Sequence, residues 1–436
     1  MTGNALADFV RANAGSGRLV VQPRMGFTSI PRMREGLEAV RAARATTVGT
    51  LTVDSYTRLG QHDRAREALH DGTELNGYPL VAHGARATDA LLAGLASPGF
   101  PVQLRHGSPL PLDLFRVMID AGITATEGGP VSYCLPYGRT PLDKATRCWA
   151  DSCQWLARQA GSGLTVHLET FGGCLMGQLC PPGLLVALSV LECMFFVQHG
   201  ITSVSLSYAQ QTSPRQDREA LAALRRLAGE YLSQVDRHLV LYTYMGMFPR
   251  TEAGAERVLR DSVRLARAAG VERLIVKTTA EAHRIPTIKE NIRALEIAAE
   301  ESTAPVAAPE QAAVPGSAAD GDVYRESRTL IEAVRSLHDD LGRALVIAFR
   351  TGLLDIPYCL HPDNANLARA AIDTDGCLQW RNAGRMPVGA VRTAETTGSP
   401  AFELLEMLGR VALSYDSPLP AGPARPALTG LQPHDS

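Results

Sequence analysis

The chain of 436 residues is long enough for one large barrel or two ordinary domains, and its 45% apolar and 20% charged residues are those of a globular protein. A net charge of -2 and an isoelectric point near 6.6 give no basic field for nucleic acid or an anionic lipid surface, so its partners are expected to be small molecules or proteins. No stretch approaches the roughly 20 apolar residues of a membrane helix, and eight cysteines without a CxxC or a Cys/His ladder give no metal-binding pattern, so a cytoplasmic protein that holds no metal of its own is expected.

In chain order, short β-branched or apolar runs occur at 19–23 (LVVQP), 47–53 (TVGTLTV), 78–84 (YPLVAHG), 101–107 (PVQLRHG), 123–129 (ITATEGG), 164–172 (LTVHLETFG), 203–208 (SVSLSY), 239–246 (LVLYTYMG) and 273–278 (RLIVKT). Amphipathic helical patterns lie between them, among them Met33–Ala43, Pro111–Ala121, Gln216–Leu232 and Glu252–Ala269. This βα alternation predicts a parallel sheet, and neither a GxGxxG nor a GxxxxGK[ST] follows the first strand, so a (β/α)₈ TIM barrel is favoured over a nucleotide-binding fold. Nine runs exceed the eight strands of such a barrel by one, so one is an extra or is not a strand.

The expected organisation is an N-terminal segment (1–18), the substrate-binding barrel (19–301), a flexible Ala/Pro-rich insertion (302–322), a C-terminal α/β extension packing on the barrel (323–415) and a disordered tail (416–436).

Charged residues gather where the strands end: Arg24 after VVQP, Arg58 shortly after TLTVD, Arg105 after PVQL, Glu127 after ITAT, Glu169 after LTVHL and Lys277 after RLIV. The mouth at the C-terminal ends of barrel strands is where such folds build chemistry. Three arginines there suit a ligand with two carboxylates, because each guanidinium is a planar fork that grips a carboxylate with two N–H groups. Each arginine by itself reads sooner as a partner in a structural ion pair, and it is the three at successive strand ends that weaken that reading. The stretch TEGGPVSYCLPYG, Thr126 to Gly138, is too rich in Gly and Pro for an ordinary helix, so Tyr133 and Tyr137 are either plugs of the core or ligands of a small molecule. His106 reads as a structural hydrogen-bonding group or a base.

Taken together, QPRMGF, TVDSYTR, LNGYPLV, PVQLRHGSP, TEGGPVSYCLPY, MGMFP, LIVKTTAEA and RTGLLDIP stand in the order and spacing of the epsilon subunits of adenosylcobalamin-dependent glutamate (methylaspartate) mutase, and the resemblance runs from about Val20 to about Gly389. It implies a radical isomerisation of L-glutamate to 3-methylaspartate. It further implies a small partner subunit that carries the cobalamin through a DxHxxG motif, and a homodimer of this chain within a heterotetramer. The chain has no DxHxxG; its nearest approach is SLHDDLG at 336–342.

By the same resemblance Arg24, Arg58 and Arg105 grip the substrate carboxylates with help from Tyr137. Glu127 and Tyr133 take the substrate amino group, with Glu127 also exchanging a proton. Lys277 and Glu281 meet the ribose hydroxyls of the cofactor, Phe171 faces the cofactor, and Gly26 is placed with these cofactor-binding positions. The chain departs from the pattern at Pro130, where a loop glycine is expected, at Cys134 for an asparagine, at Tyr242 and Tyr244 for a His and a Trp, and at LHPDNAN, 360–366. These departures bear on the cofactor-facing surface and the small-subunit interface more than on the glutamate grip. They leave open a divergent mutase for a related amino acid in secondary metabolism, or a non-catalytic barrel that binds an acidic amino acid.

Overall fold

The computed structural model describes residues 4–175, 179–305, 321–388 and 400–417. Eight parallel strands are formed by Val20–Gln22 (β1), Gly49–Thr52 (β2), Val102–Arg105 (β3), Ala125–Gly128 (β4), His167–Thr170 (β5), Ser203–Ala209 (β6), Asp236–Tyr242 (β7) and Arg273–Ile275 (β8). They pair in the order β1-β8-β7-β6-β5-β4-β3-β2, and the sheet closes where Val21 accepts from Val48 N and donates to Thr46 O. The result is the predicted (β/α)₈ barrel. Apart from Thr52 at the end of β2 and Asp236 and Arg237 at the start of β7, every strand residue of the barrel is buried, as a parallel sheet covered by helices requires.

Of the nine runs read from the sequence, the one at 78–84 is not a barrel strand. Tyr78 makes a single bridge to Val53, and Leu80–His83 then forms one helical turn ended by Gly84 at φ +80°. A short apolar run fits a buried helical turn as well as a strand, and Pro79 before it sets the turn.

The segment before the first strand has a structural job that its sequence did not announce. Asn4 caps the helix Ala5–Gly15 through its Oδ1, while its Nδ2 donates to Thr124 O at 2.9 Å and Thr165 O at 2.8 Å. Leu6 and Val10 then bury against Val20, Val48 and Ala125 at the starts of their strands. The helix closes the N-terminal end of the barrel, which leaves the opposite end as the way in.

The helix Pro182–Gln198 is apolar on all sides because it is covered on all sides: the barrel lies beneath it and the helix Asp322–Arg335 packs over it. The helix Leu341–Thr351 packs on Leu142–Arg158, and Pro400–Asp416 on Glu252–Ala268. An antiparallel hairpin, Arg369–Ile372 (β9) with Leu378–Asn382 (β10), completes the C-terminal part. Most of the Ala/Pro-rich insertion (306–320) and most of the tail (418–436) lie outside the described residues.

Candidate functional site

The loop after β4 is fixed by a single carboxylate. Glu192, fully buried in the long apolar helix, accepts from Val131 N (3.0 Å), Ser132 N (2.8 Å) and Ser132 Oγ (2.9 Å) at one end of the loop and from Thr170 Oγ1 (2.7 Å) on β5. Burial pushes this carboxyl up to about 7 against the pull of those donors. Gly129 has to be glycine because a Cβ there would lie 2.1 Å from Glu192 Oε1, and Gly128, at φ +137°, would drive one into Trp149. Pro130 costs nothing in this arrangement: the two N–H groups Glu192 collects come from the residues after it.

Held in this way, the loop sets Tyr133 against Glu127. Glu127 at the end of β4 accepts from Arg105 Nε at 2.8 Å, from the Tyr133 hydroxyl and, at 2.8 Å, from the Tyr242 hydroxyl. Burial opposes the charge on Arg105, but Glu127 beside it outweighs that and holds the guanidinium protonated. Burial raises both phenols well above their ordinary range, so they remain donors. His106 packs among Phe115, Tyr133 and Trp149, its Nδ1 accepts from Ser108 N, and burial pushes it down to about 3, which makes it a neutral structural group.

Arg24, Arg58, Arg105, Glu127, Tyr133, Tyr137 and Phe171 line one cavity of about 170 Å³ at the C-terminal mouth. The residues that the resemblance assigns to the substrate, which come from the ends of β1 to β4 and the segments that follow them, thus converge. Arg58 makes no ion pair among the described residues, and the Nε atoms of Arg24 and Arg58 are buried without a hydrogen-bond acceptor. Both side chains are half-buried, and a buried guanidinium N–H lacking its acceptor is what an anionic ligand satisfies. Arg24 pairs with Glu281 at 2.9 Å.

Lys277 and Glu281 lie beside this cavity, joined to it through that ion pair. Lys277 Nζ is 3.7 Å from Glu281 Oε2 and 4.2 Å above the Phe248 ring, and burial pushes its ammonium down to about 8. Gly26 is packed against backbone: a Cβ there would sit 2.2 Å from Thr52 O. A second, larger cavity of about 580 Å³ lies between β10 and the helix Asp322–Arg335 and shares none of these residues.

Two of the departures from the resembled pattern, Tyr242 and Tyr244, lie in different surroundings. Tyr242 lies on the floor of the cavity, bonded to Glu127, because it is the last residue of β7 and points into the lumen. Tyr244 is buried with Phe248, Ala255, Val258 and Val411, on the side of the C-terminal helix.

Below the floor runs a polar chain. Arg273, fully buried, pairs with Glu169 and donates to Gln22 Oε1 (2.5 Å) and Gln103 Oε1 (3.2 Å), while Gln22 Nε2 reaches Thr50 Oγ1 (2.9 Å). His167 and His238 stack beside it, kept neutral by burial and the Arg273 charge. The signal for this chain was present as polar residues inside apolar strands, Gln22 in VVQ and Arg273 in RLI, which in a lumen must satisfy one another.

The family model described as Methylaspartate mutase E chain matches residues 2–397. Curated relatives named glutamate mutase epsilon subunit include one from Escherichia coli O157:H7, 30% identical over 388 residues, 85% of this chain and 79% of the relative. Another, from Halobacterium salinarum, is 32% identical over 388 residues, 84% of this chain and 78% of the relative.

Proposed function

Because the chain belongs to the methylaspartate mutase E chain family, and is therefore an isomerase, we propose that it is the catalytic subunit of an adenosylcobalamin-dependent mutase interconverting L-glutamate and 3-methylaspartate. The observation that carries the substrate is the cavity with three arginines, two of them with buried Nε atoms lacking acceptors, facing Glu127. Two carboxylates engage the guanidinium groups, with Tyr137 at the rim, and the ammonium meets Glu127 and Tyr133.

Lys277 and Glu281 suit a vicinal diol, since an ammonium and a carboxylate 3.7 Å apart offer a donor and an acceptor side by side. Phe171 lies between Tyr133 and Tyr242 in the same wall, with ring centroids 5.1 and 5.5 Å away. These residues fit the adenosyl group of the cofactor, which when bound supplies the radical that takes hydrogen from C4 of the substrate. The chain's own work is to orient glutamate, exclude water through the closed bottom of the barrel, and hold the amino proton at Glu127.

The cobalamin itself falls to a small partner subunit in a heterotetramer with a homodimer of this chain. Large apolar side chains are exposed around the mouth, Leu59 after β2, Tyr137 after β4, Met247 after β7 and Ile285 after β8, with Leu360 beside the β4 loop. Such a rim suits a protein lid. No helix among the described residues is long and apolar enough to cross a membrane, which accords with a cytoplasmic enzyme.

Tyr242 in the grip gives a specific reason to include related acidic amino acids in the substrate panel. The direct test of the substrate reading is binding by calorimetry: L-glutamate is expected to bind and L-glutamine, which lacks the second carboxylate, to bind at least about 10-fold more weakly. Equal affinities contradict a site built for two carboxylates.

A further inference from the structure

Glu127 and Glu169 are register partners on β4 and β5, so their side chains leave neighbouring strands toward the same part of the lumen. Both are at most 1% exposed. Two acids so placed repel one another or compete for a proton. Tyr242 stands between them. Its hydroxyl is 2.8 Å from Glu127 Oε2 and in shorter contact with Glu169 Oε1. The ring itself is pinned by Arg105, 5.3 Å over its face, and by the edge-on ring of Phe171 at 5.5 Å.

The donors around the two acids do not match the acceptors. Glu169 accepts from Arg273, from Gln103 Nε2 at 3.1 Å, from Ser205 Oγ at 3.4 Å and from Tyr242. Glu127 accepts from Arg105, Tyr133 and Tyr242. A phenol carries one proton, and here two carboxylates claim it. The floor of the cavity is one donor short, and the shortage falls at the acid that lines the cavity. A group bringing several N–H donors and a positive charge makes up the deficit.

We propose that Tyr242 is a positioning residue for substrate selection: by spanning Glu127 and Glu169 it holds Glu127 as an acceptor turned to the cavity, and so makes the site choose amino dicarboxylates over dicarboxylates without an amino group. The inference rests on the glutamate reading above. Without the phenol, Glu127 and Glu169 meet directly, and Glu127 turns toward its neighbour or shares a proton with it. Either outcome withdraws the acceptor from the substrate amino group, while Arg24 and Arg58, which bond to neither acid, keep their places and Arg105 keeps an aromatic face beneath it.

The test compares L-glutamate with glutarate, which has the same two carboxylates and no amino group, by calorimetry on the full chain. The wild type is expected to prefer L-glutamate. Tyr242→Phe should reduce that preference at least about 10-fold through weaker L-glutamate binding, with glutarate affinity held within about twofold. A Phe variant that keeps the full preference, or that weakens both ligands equally, overturns the proposal. Should Tyr242→Phe fail to fold, p-aminophenylalanine at position 242 keeps the ring shape and offers two N–H donors, one for each acid. It should retain the preference within about threefold, and a folded protein that loses it overturns the proposal. A wild type that binds glutarate as tightly as L-glutamate overturns the glutamate reading itself, and this inference with it.

Discussion

Arg24 Nη1 lies 2.9 Å from Glu281 Oε2, an oxygen that also faces Lys277 Nζ at 3.7 Å. One carboxylate oxygen thus ties an arginine of the cavity proposed for the substrate to the lysine proposed for the cofactor ribose. A ligand carboxylate arriving at Arg24 competes with Glu281, and a Glu281 so released is free for hydroxyl groups.

The competition has a measurable consequence. Glu281→Gln removes the charge that holds Arg24, so the chain without cofactor should bind L-glutamate about threefold to tenfold more tightly, of the order of 1 kcal/mol for a partly exposed pair. Calorimetric titration reads the change; an unchanged or weaker affinity shows that Arg24 does not exchange partners.

Arg58 and Arg105 should separate binding from stability. Arg105→Ala leaves Glu127 buried without its cation and is expected to cost about 3–5 kcal/mol of folding stability. Arg58 has no ion pair among the described residues and lines the same cavity. Arg58→Ala should therefore melt within a few degrees of the wild type yet lose roughly 2–5 kcal/mol of L-glutamate affinity. Thermal melts and titrations on both variants check the split.

Glu192 gives a pH dependence with a definite sign. Burial raises its folded value to about 7 from an ordinary 4.5, so between those limits the folded chain holds more protons than the unfolded one. Its contribution to stability is present at pH 4.5 and is lost as the pH rises to 7. Glu192→Gln should fold, because Ser132 and Thr170 hydroxyls can turn from donors to acceptors, and should flatten the decline over that window by an amount on the order of 2–3 kcal/mol. Denaturant melts at pH 4.5 and 7 on both proteins measure it; an unaltered slope contradicts the assignment.

Gly129→Ala places a methyl group 2.1 Å from Glu192 Oε1, which forces the anchor of the loop to move. A loss of about 1–3 kcal/mol of stability, accompanied by weaker L-glutamate binding through displaced Tyr133, is expected. Gly161→Ala, with nothing within 4 Å of the added Cβ, is the control and should change neither quantity.

Much of this was legible in the chain because period and position carry physical meaning. Alternating strand and helix patterns fixed the barrel, and charged residues at strand ends fixed the mouth. The misread run at 78–84 shows the limit: four apolar residues fit a helical turn as well as a strand until their neighbours are known. The closing helix Ala5–Gly15 escaped notice because its burial depends on strand starts far away in sequence. Glu192 escaped because a lone acid in an apolar helix signals a partner without naming it. The contact of Tyr242 with Glu127 escaped because which residue of β7 points into the lumen follows from the closed barrel and its register, not from the local pattern.

The central claim is that this barrel isomerises glutamate with a borrowed cobalamin. Carbon-13 NMR of L-glutamate incubated with the chain, adenosylcobalamin and a small cobalamin-binding mutase subunit tests it directly. The account predicts 3-methylaspartate resonances that require all three components and vanish with Arg58→Ala. Absence of any rearranged product with every cognate small subunit, while L-glutamate still binds the chain, would contradict it.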